Sequence, residues 1–293
     1  MDTKTRTTAI SEWFKKVSPK KVLARSYLAL VLLILYAPIF YMVFFSFMDV
    51  RFMGMDGNFT FDNYRFMFND PTLRRALRNT LIITLTSATI ATILGTLGAI
   101  GIFYMNRNPK RVMLFGNQIN VVNPEVVTAM GLFLFFTVAF MPLGDLILPH
   151  NFAFGFVTII IGHVALCTPF VVLNILPRLR RINPNNYEAA LDLGASPFHA
   201  LRRVIIPEIF PAMLGAFVLS ITLSLDDFLI TRFNSGVVET LSLYIYSAAR
   251  FGNAETMGAI RALATVMFVG AISIIAIGTL AQNRLARSKF KKT

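Results

Sequence analysis

The sequence predicts an all-α, polytopic integral membrane protein with six transmembrane helices, and three observations carry that expectation. The chain has 293 residues, 55% hydrophobic and only 15% charged; a soluble domain of this length needs more charge to cover its surface. Its apolar residues gather into nearly charge-free runs, each long enough for the ~20 helical residues that a hydrocarbon core asks for. Its basic residues cluster between those runs, so the net charge of +13 reads first as a topology signal.

The six segments are residues 26–48, 79–105, 112–141, 152–176, 204–225 and 262–283. The first follows a basic tail, as a signal peptide would, but its apolar run is too long and lacks a small-residue cleavage site, so a retained helix is expected. The third is too long for one straight span and contains Asn123-Pro124-Glu125, which predicts an interfacial piece or a proline kink. Gly95, Gly98 and Gly101 form a small-residue stripe on the second segment, a mark of close helix packing and not of a phosphate loop.

The basic residues orient these spans. The tail at 1–25, the loops at 107–111 and 178–203 and the tail at 284–293 together hold 20 of the 28 Lys and Arg, whereas the opposite loops hold eight, offset by nine acidic residues. Positive charge stays inside, so both termini are expected in the cytoplasm. Arg74, Arg75 and Arg78 run against the trend at the outer end of the second segment. With no long repeat, linker or appended soluble domain in view, the organisation reads as a basic tail (1–25), one membrane domain (26–283, including a cytoplasmic loop at 183–207) and a second basic tail (284–293).

Composition also excludes. A nucleic-acid binder of this charge would show a basic groove with interleaved aromatics, but the aromatics here, 28 Phe among them, lie mostly inside the apolar runs. Lipid is the expected partner. Cys167 is alone in an apolar segment, which leaves no disulfide framework or metal cluster. His163 has no second ligand at metal spacing and reads as a packed, hydrogen-bonded histidine. No metal site, no catalytic residue and no cofactor held by this chain are expected, and no convergent nucleophile supports a membrane-embedded enzyme.

The loop at 183–207 reads NPNNYEAALDLGASPFHALRRVIIP. Asn183 can cap a short helix that Pro184 opens, Gly194 suits a left-handed stop, and Ser196 with Pro197 can start a second helix. A pair of capped helices under a membrane looks like a docking element. The spacing resembles the signature loop of binding-protein-dependent ABC importer permeases of type I, in which Glu-Ala-Ala precedes Gly by a fixed interval and an Ile-x-Leu-Pro end follows. Glu188, Ala189, Ala190, Gly194 and Pro207 match, and Val204 and Ile206 replace the two apolar residues conservatively. The resemblance implies the type I ABC importer permease fold and a loop seated in a cleft of an ATP-binding subunit, with Glu188 as the charged anchor, Ala189 and Ala190 as small contact surfaces and Gly194 as the turn. The chain has no G-x-x-x-x-G-K-[ST] loop, so ATP and Mg are expected on partner ATPase subunits and not here.

Further stretches resemble the spermidine/putrescine branch of that family: LSLDDF at 223–228, LSLYIYSAARFG at 241–252, ALAT at 262–265 and PEVV at 124–127. The resemblance implies a polyamine cargo, a second permease subunit, two ATPase subunits and an extracytoplasmic substrate-binding protein, in a bacterial cytoplasmic membrane. Candidate pathway residues follow. Asp226 and Asp227 end the fifth segment near its outer boundary, and neighbours on a helix point about 100° apart, so one of them is expected to face a pathway. They read either as a negative mouth for a cation or as two solvated carboxylates. Glu125 is an acid inside an apolar span, a functional hypothesis by default, against the alternative of an interfacial, hydrogen-bonded Glu. Glu208 is expected to favour the positive end of the fifth helix. Residues 241–249 carry an apolar face that suits a short outer-side helix. Same-family permeases for a sugar, ferric ion or other small solute, and a proton-coupled carrier, are the remaining alternatives.

Overall fold

The computed structural model describes residues 19–50, 57–140 and 154–290, with side chains 19–22, 184, 271 and 274–290 outside the description. The described residues are helical throughout apart from connections and an isolated antiparallel bridge between Met48 and Phe59. They fall into two compact units: residues up to Asp70 together with those from Ala248 onward, and Pro71–Ser247.

The first unit contains helix α1 (Pro19–Phe45), the short α2 (Asp62–Asn69) and α12 (Ala254–Phe290). Leu33, Leu35 and Phe40 on α1 are largely exposed, as suits a helix that faces lipid or another subunit. The chain leaving α1 is tied down by Asn63, whose Nδ2 donates to the carbonyls of Ser46 at 2.8 Å and Met48 at 2.9 Å. Arg261 of α12 donates to the Val50 carbonyl. Asn63 closes onto Gly258, where no side chain would fit.

The second unit holds α3 (Pro71–Tyr104), α4 (Arg107–Val122), α5 (Glu125–Phe135, continued by a π-helical turn to Phe140), α6 (Phe156–Leu179), α7 (Pro184–Asp192) and α8 (Pro197–Ala200). A second π turn (Leu201–Ile205) leads into α9 (Ile206–Asp226), followed by α10 (Leu229–Asn234) and the start of α11 (Leu241–Phe251). Its core lies among α3, α6 and α9, with Ala99, Val171, Ile175, Ile209 and Ala216 buried. The α3 face that enters it is built from Ala76, Thr80, Thr84, Ala88, Ala91, Gly95 and Ala99, spaced three to four residues apart. Small residues let helices approach closely. At Gly95 an added Cβ would stand 2.6 Å from the Val171 side chain and 3.1 Å from the Thr168 carbonyl; at Gly98 the nearest atom is 3.7 Å away, and at Gly101 nothing lies within 4 Å. Only the first member of the expected stripe is packed tightly. Buried hydroxyls on this face return to their own helix, Thr92 to the Ala88 carbonyl and Thr96 to the Thr92 carbonyl.

The break expected at Asn123-Pro124-Glu125 is present. Asn123 is extended (φ −65°, ψ 132°), as a residue before proline must tend to be, and α4 and α5 meet at 107°. Although α4 buries no residue, it serves α6. Pro169 has no N–H for the carbonyl of Ala165, four residues back, and Asn120 Nδ2 donates to that carbonyl at 3.0 Å while Asn117 Nδ2 reaches Pro169 O at 3.2 Å.

Boundaries moved more than the elements did. The helix of the second segment begins at Pro71, eight residues before the expected start, so Arg74, Arg75 and Arg78 lie on its opening turns. Pro71 is preset for a first turn and nothing after it breaks the helix. The second loop helix runs into the fifth span without a break; the π turn ahead of Pro207 takes up the register change around a proline that cannot donate. Among the described residues four helices are long and apolar enough to cross a membrane, and five if the bent α4–α5 pair is one span. The sixth expected segment, 262–283, falls in α12, where side chains from 274 on lie outside the description. The tail residues 1–18 and 291–293 lie outside it as well.

Candidate functional site

Two places in the second unit gather the residues singled out by the sequence. The first is the loop of α7 and α8. Asn183 Oδ1 accepts the Asn185 N–H at 3.1 Å and starts α7. Gly194 stops it with φ +86°; its N–H donates to Leu191 O at 2.9 Å and that of Ala195 to Ala190 O at 3.0 Å, the paired bonds that satisfy the last free carbonyls of a helix. Ser196 Oγ accepts the His199 N–H at 3.4 Å and starts α8.

The underside of α7 is seated on the unit's core. Tyr187 packs against Tyr104 with ring centroids 5.8 Å apart, beside a small cavity lined by Phe103, Leu179, Ile182 and Ile205. Ala189, Gly194 and Pro207 are exposed, Ala190 is half-buried, and Glu188 is exposed at the rim of that cavity. Two large apolar side chains join them, Leu193 at 89% exposure and Phe198 at 69%. Glu208 does more than sit at a helix start. Its Oε1 accepts Asn186 Nδ2 at 3.2 Å and its carbonyl accepts Arg178 Nε at 3.0 Å, so it joins α7, α6 and α9.

The second place is the far end of α9, about 31 Å along a 21-residue helix. The helix stops at Asp226 because Asp227 turns extended (φ −63°, ψ 127°), and the two acids part: Asp226 is exposed and Asp227 is buried. Asp227 caps α10. Its Oδ2 accepts the Thr231 N–H and Oγ–H, each at 2.8 Å, and its Oδ1 accepts the Ile230 N–H at 3.2 Å. His163 of α6 reaches the same Oδ2 with Nε2 at 3.1 Å, and its Nδ1 lies 2.7 Å from Ser224 Oγ. Ser224 donates to Thr84 Oγ1 on α3 at 3.2 Å.

Glu125, on the first turn of α5, lies against the Asp227 carboxylate and the Leu229 backbone. Sequence-distant acids are thus brought into contact by the bend at Pro124 and the break at Asp227, while Asp226 stays apart. Glu125 is exposed and Asp227 is buried, so the pair stands at the edge of the buried site; two ionised carboxylates in contact repel, and a cation, or a shared proton, relieves that repulsion. The cavity beside Asp227, about 10 Å3, is lined by Thr84, His163, Ser224 and Thr231 among others and is at the lower limit for one water.

His163 is packed and hydrogen-bonded, as the sequence reading has it, but its bond to a candidate pathway acid was not foreseen. Ser224, Thr84 and Thr231 were missed. The available signal was that a buried imidazole needs two partners, and Ser224 stands three residues before Asp227 on a helix end.

No protein-family model matches the chain. Among curated proteins it is similar to the spermidine/putrescine transport system permease protein PotC of Escherichia coli strain K12, 34% identical over 275 residues, 92% of this chain and 96% of that protein. It is similar to PotC of Haemophilus influenzae, 34% identical over 262 residues, 88% of this chain and 95% of that one. It is also similar to the putrescine transport system permease protein PotI of Escherichia coli strain K12, 33% identical over 258 residues, 87% of this chain and 88% of that one. Among solved structures, a bacterial alginate ABC transporter in complex with a pentasaccharide-bound periplasmic protein shares the fold, with TM-score 0.65 at 18% identity over 87% of this chain and 92% of that one. The MetNI methionine ABC transporter in an inward-facing conformation aligns with TM-score 0.52 at 19% identity over 74% of this chain and 95% of that one.

Proposed function

We propose, from the premise that this chain belongs to the spermidine/putrescine transport system permease family of ABC importers, that it is one permease subunit of an ATP-driven polyamine importer. The observation that carries this is the 34% identity to PotC along 92% of the chain. The contact between Glu125 and Asp227 adds a physical reason for a cationic cargo, because an ammonium group between two carboxylates removes their repulsion.

In this reading the chain supplies half of a translocation pathway and a second permease subunit supplies the rest. A substrate-binding protein delivers spermidine or putrescine from outside. Two partner subunits bind ATP and Mg, and closure of their dimer pushes on Glu188, Ala189 and the exposed edge of α7 and α8. Tyr187 and Glu208 pass that push to the ends of α3, α6 and α9, which swing between inward- and outward-facing arrangements. The chain is a transport subunit without an enzymatic reaction of its own. The positive-inside bias supports a bacterial cytoplasmic membrane with both termini in the cytoplasm.

The test co-reconstitutes the chain with its partner permease, ATPase and binding protein in proteoliposomes and compares uptake of labelled spermidine, putrescine and maltose with and without ATP. ATP-dependent uptake of the polyamines alone is expected. ATP-dependent uptake of maltose without polyamine would overturn the cargo.

A further inference from the structure

Helices α6 and α9 and the α10 turn meet at one imidazole, and α3 joins through the bond from Ser224 to Thr84. His163 is 2% exposed and joins Ser224 through Nδ1 and both Asp227 and Thr231 through Nε2, the last at 3.0 Å. A carboxylate has no proton to give, so Nε2 carries the hydrogen toward Asp227. The two Asp227 oxygens are treated differently. Oδ2 takes His163 and both donors of Thr231, whereas Oδ1 takes the Ile230 N–H at 3.2 Å. Three of the four donors therefore fix the Oδ2 side of the carboxylate.

Asp227 also needs to be held. Glu125 lies against it, and a like charge at contact pushes a free side chain into another rotamer. The geometry points to His163 as the positioning residue of this acid pair: by gripping Oδ2 it fixes the plane of the Asp227 carboxylate against Glu125, so that the two acids meet a primary ammonium group of the cargo at a set separation when the pathway opens. Ser224 and Thr84 set the imidazole in turn, so the grip depends on α3 and α9 keeping their places beside α6. This inference rests on the polyamine reading above.

The test uses the intact reconstituted complex and reads putrescine moved per ATP hydrolysed, a ratio that a loss of folded protein would leave unchanged. His163→Leu removes the donor, and loss of one charge-assisted hydrogen bond should lower the ratio about 10- to 100-fold. His163→Gln returns an N–H near the Nε2 position and should stay within about threefold of the parent. Equal losses in both variants, or no loss in either, overturn the proposal. Asp227→Asn is measured beside them. A fall there with none in His163→Leu ends the positioning role and spares the cation reading; no fall in either ends both. Should His163→Leu fail to co-purify with its partners, Ser224→Ala takes away the Nδ1 partner instead, with an expected loss of about threefold or more and an unchanged ratio as the contrary result.

Discussion

Replacing Gly194 isolates the geometry of the loop from its chemistry. The residue sits at φ +86°, and an added Cβ would meet nothing within 4 Å. The cost of Gly194→Ala is therefore conformational, about 1–2 kcal/mol for an L-residue in the left-handed region. Relaxing toward negative φ would break the bonds from Gly194 N–H to Leu191 O and from Ala195 N–H to Ala190 O, and α8 would leave its direction relative to α7. One to two kcal/mol is a factor of roughly 5–30 in the population of the seated loop. Asn tolerates this conformation better than Ala and a β-branched residue worse. Uptake in proteoliposomes should fall in the order Gly, Asn, Ala, Val, with Ala about 5- to 30-fold below the parent and subunit co-purification retained, because the position is exposed and outside the core. Val at parental uptake would refute the argument that this backbone turn transmits force.

Three further outcomes follow from the same geometry. Gly95→Val places atoms on the Val171 side chain and Thr168 carbonyl and should lower the melting temperature of the purified protein by an amount set by roughly 1–3 kcal/mol of overpacking, while Gly101→Ala, in open space, should leave it unchanged. Asp226→Asn should have less effect on polyamine uptake than Asp227→Asn or Glu125→Gln, since Asp226 alone of the three stands apart; parental uptake in both of the latter would remove the acid pair from the pathway. Glu188→Lys should uncouple ATP hydrolysis from uptake, measured together in the same vesicles, and full coupling would undo its role as anchor.

What could be foreseen was local. The break at Pro124 and the caps at Asn183, Gly194 and Ser196 depend on residues within a turn of one another, and the structure places each where the sequence puts it. Helix starts were less legible. A run of arginines at 74–78 looks like a loop by charge, yet Pro71 opens a helix and Arg side chains reach water from its first turns. The glycine stripe was half legible: small residues mark where helices can approach, but only the path of the neighbouring helix decides that Gly95 meets Val171 and Gly101 meets nothing. The acid pair was out of reach. Glu125 and Asp227 were each suspect, but their contact arises from two chain breaks acting in three dimensions. The grip of His163 on Asp227 arises the same way, from helices packed by small residues far from either.

The most direct measurement is the initial rate of labelled spermidine uptake into proteoliposomes that carry both permease subunits and the binding protein, with and without the ATPase subunits and ATP. Uptake that requires both is expected, because the exposed loop at 183–207 has no other source of force. Uptake at the full rate from membranes that lack the ATPase would contradict the account.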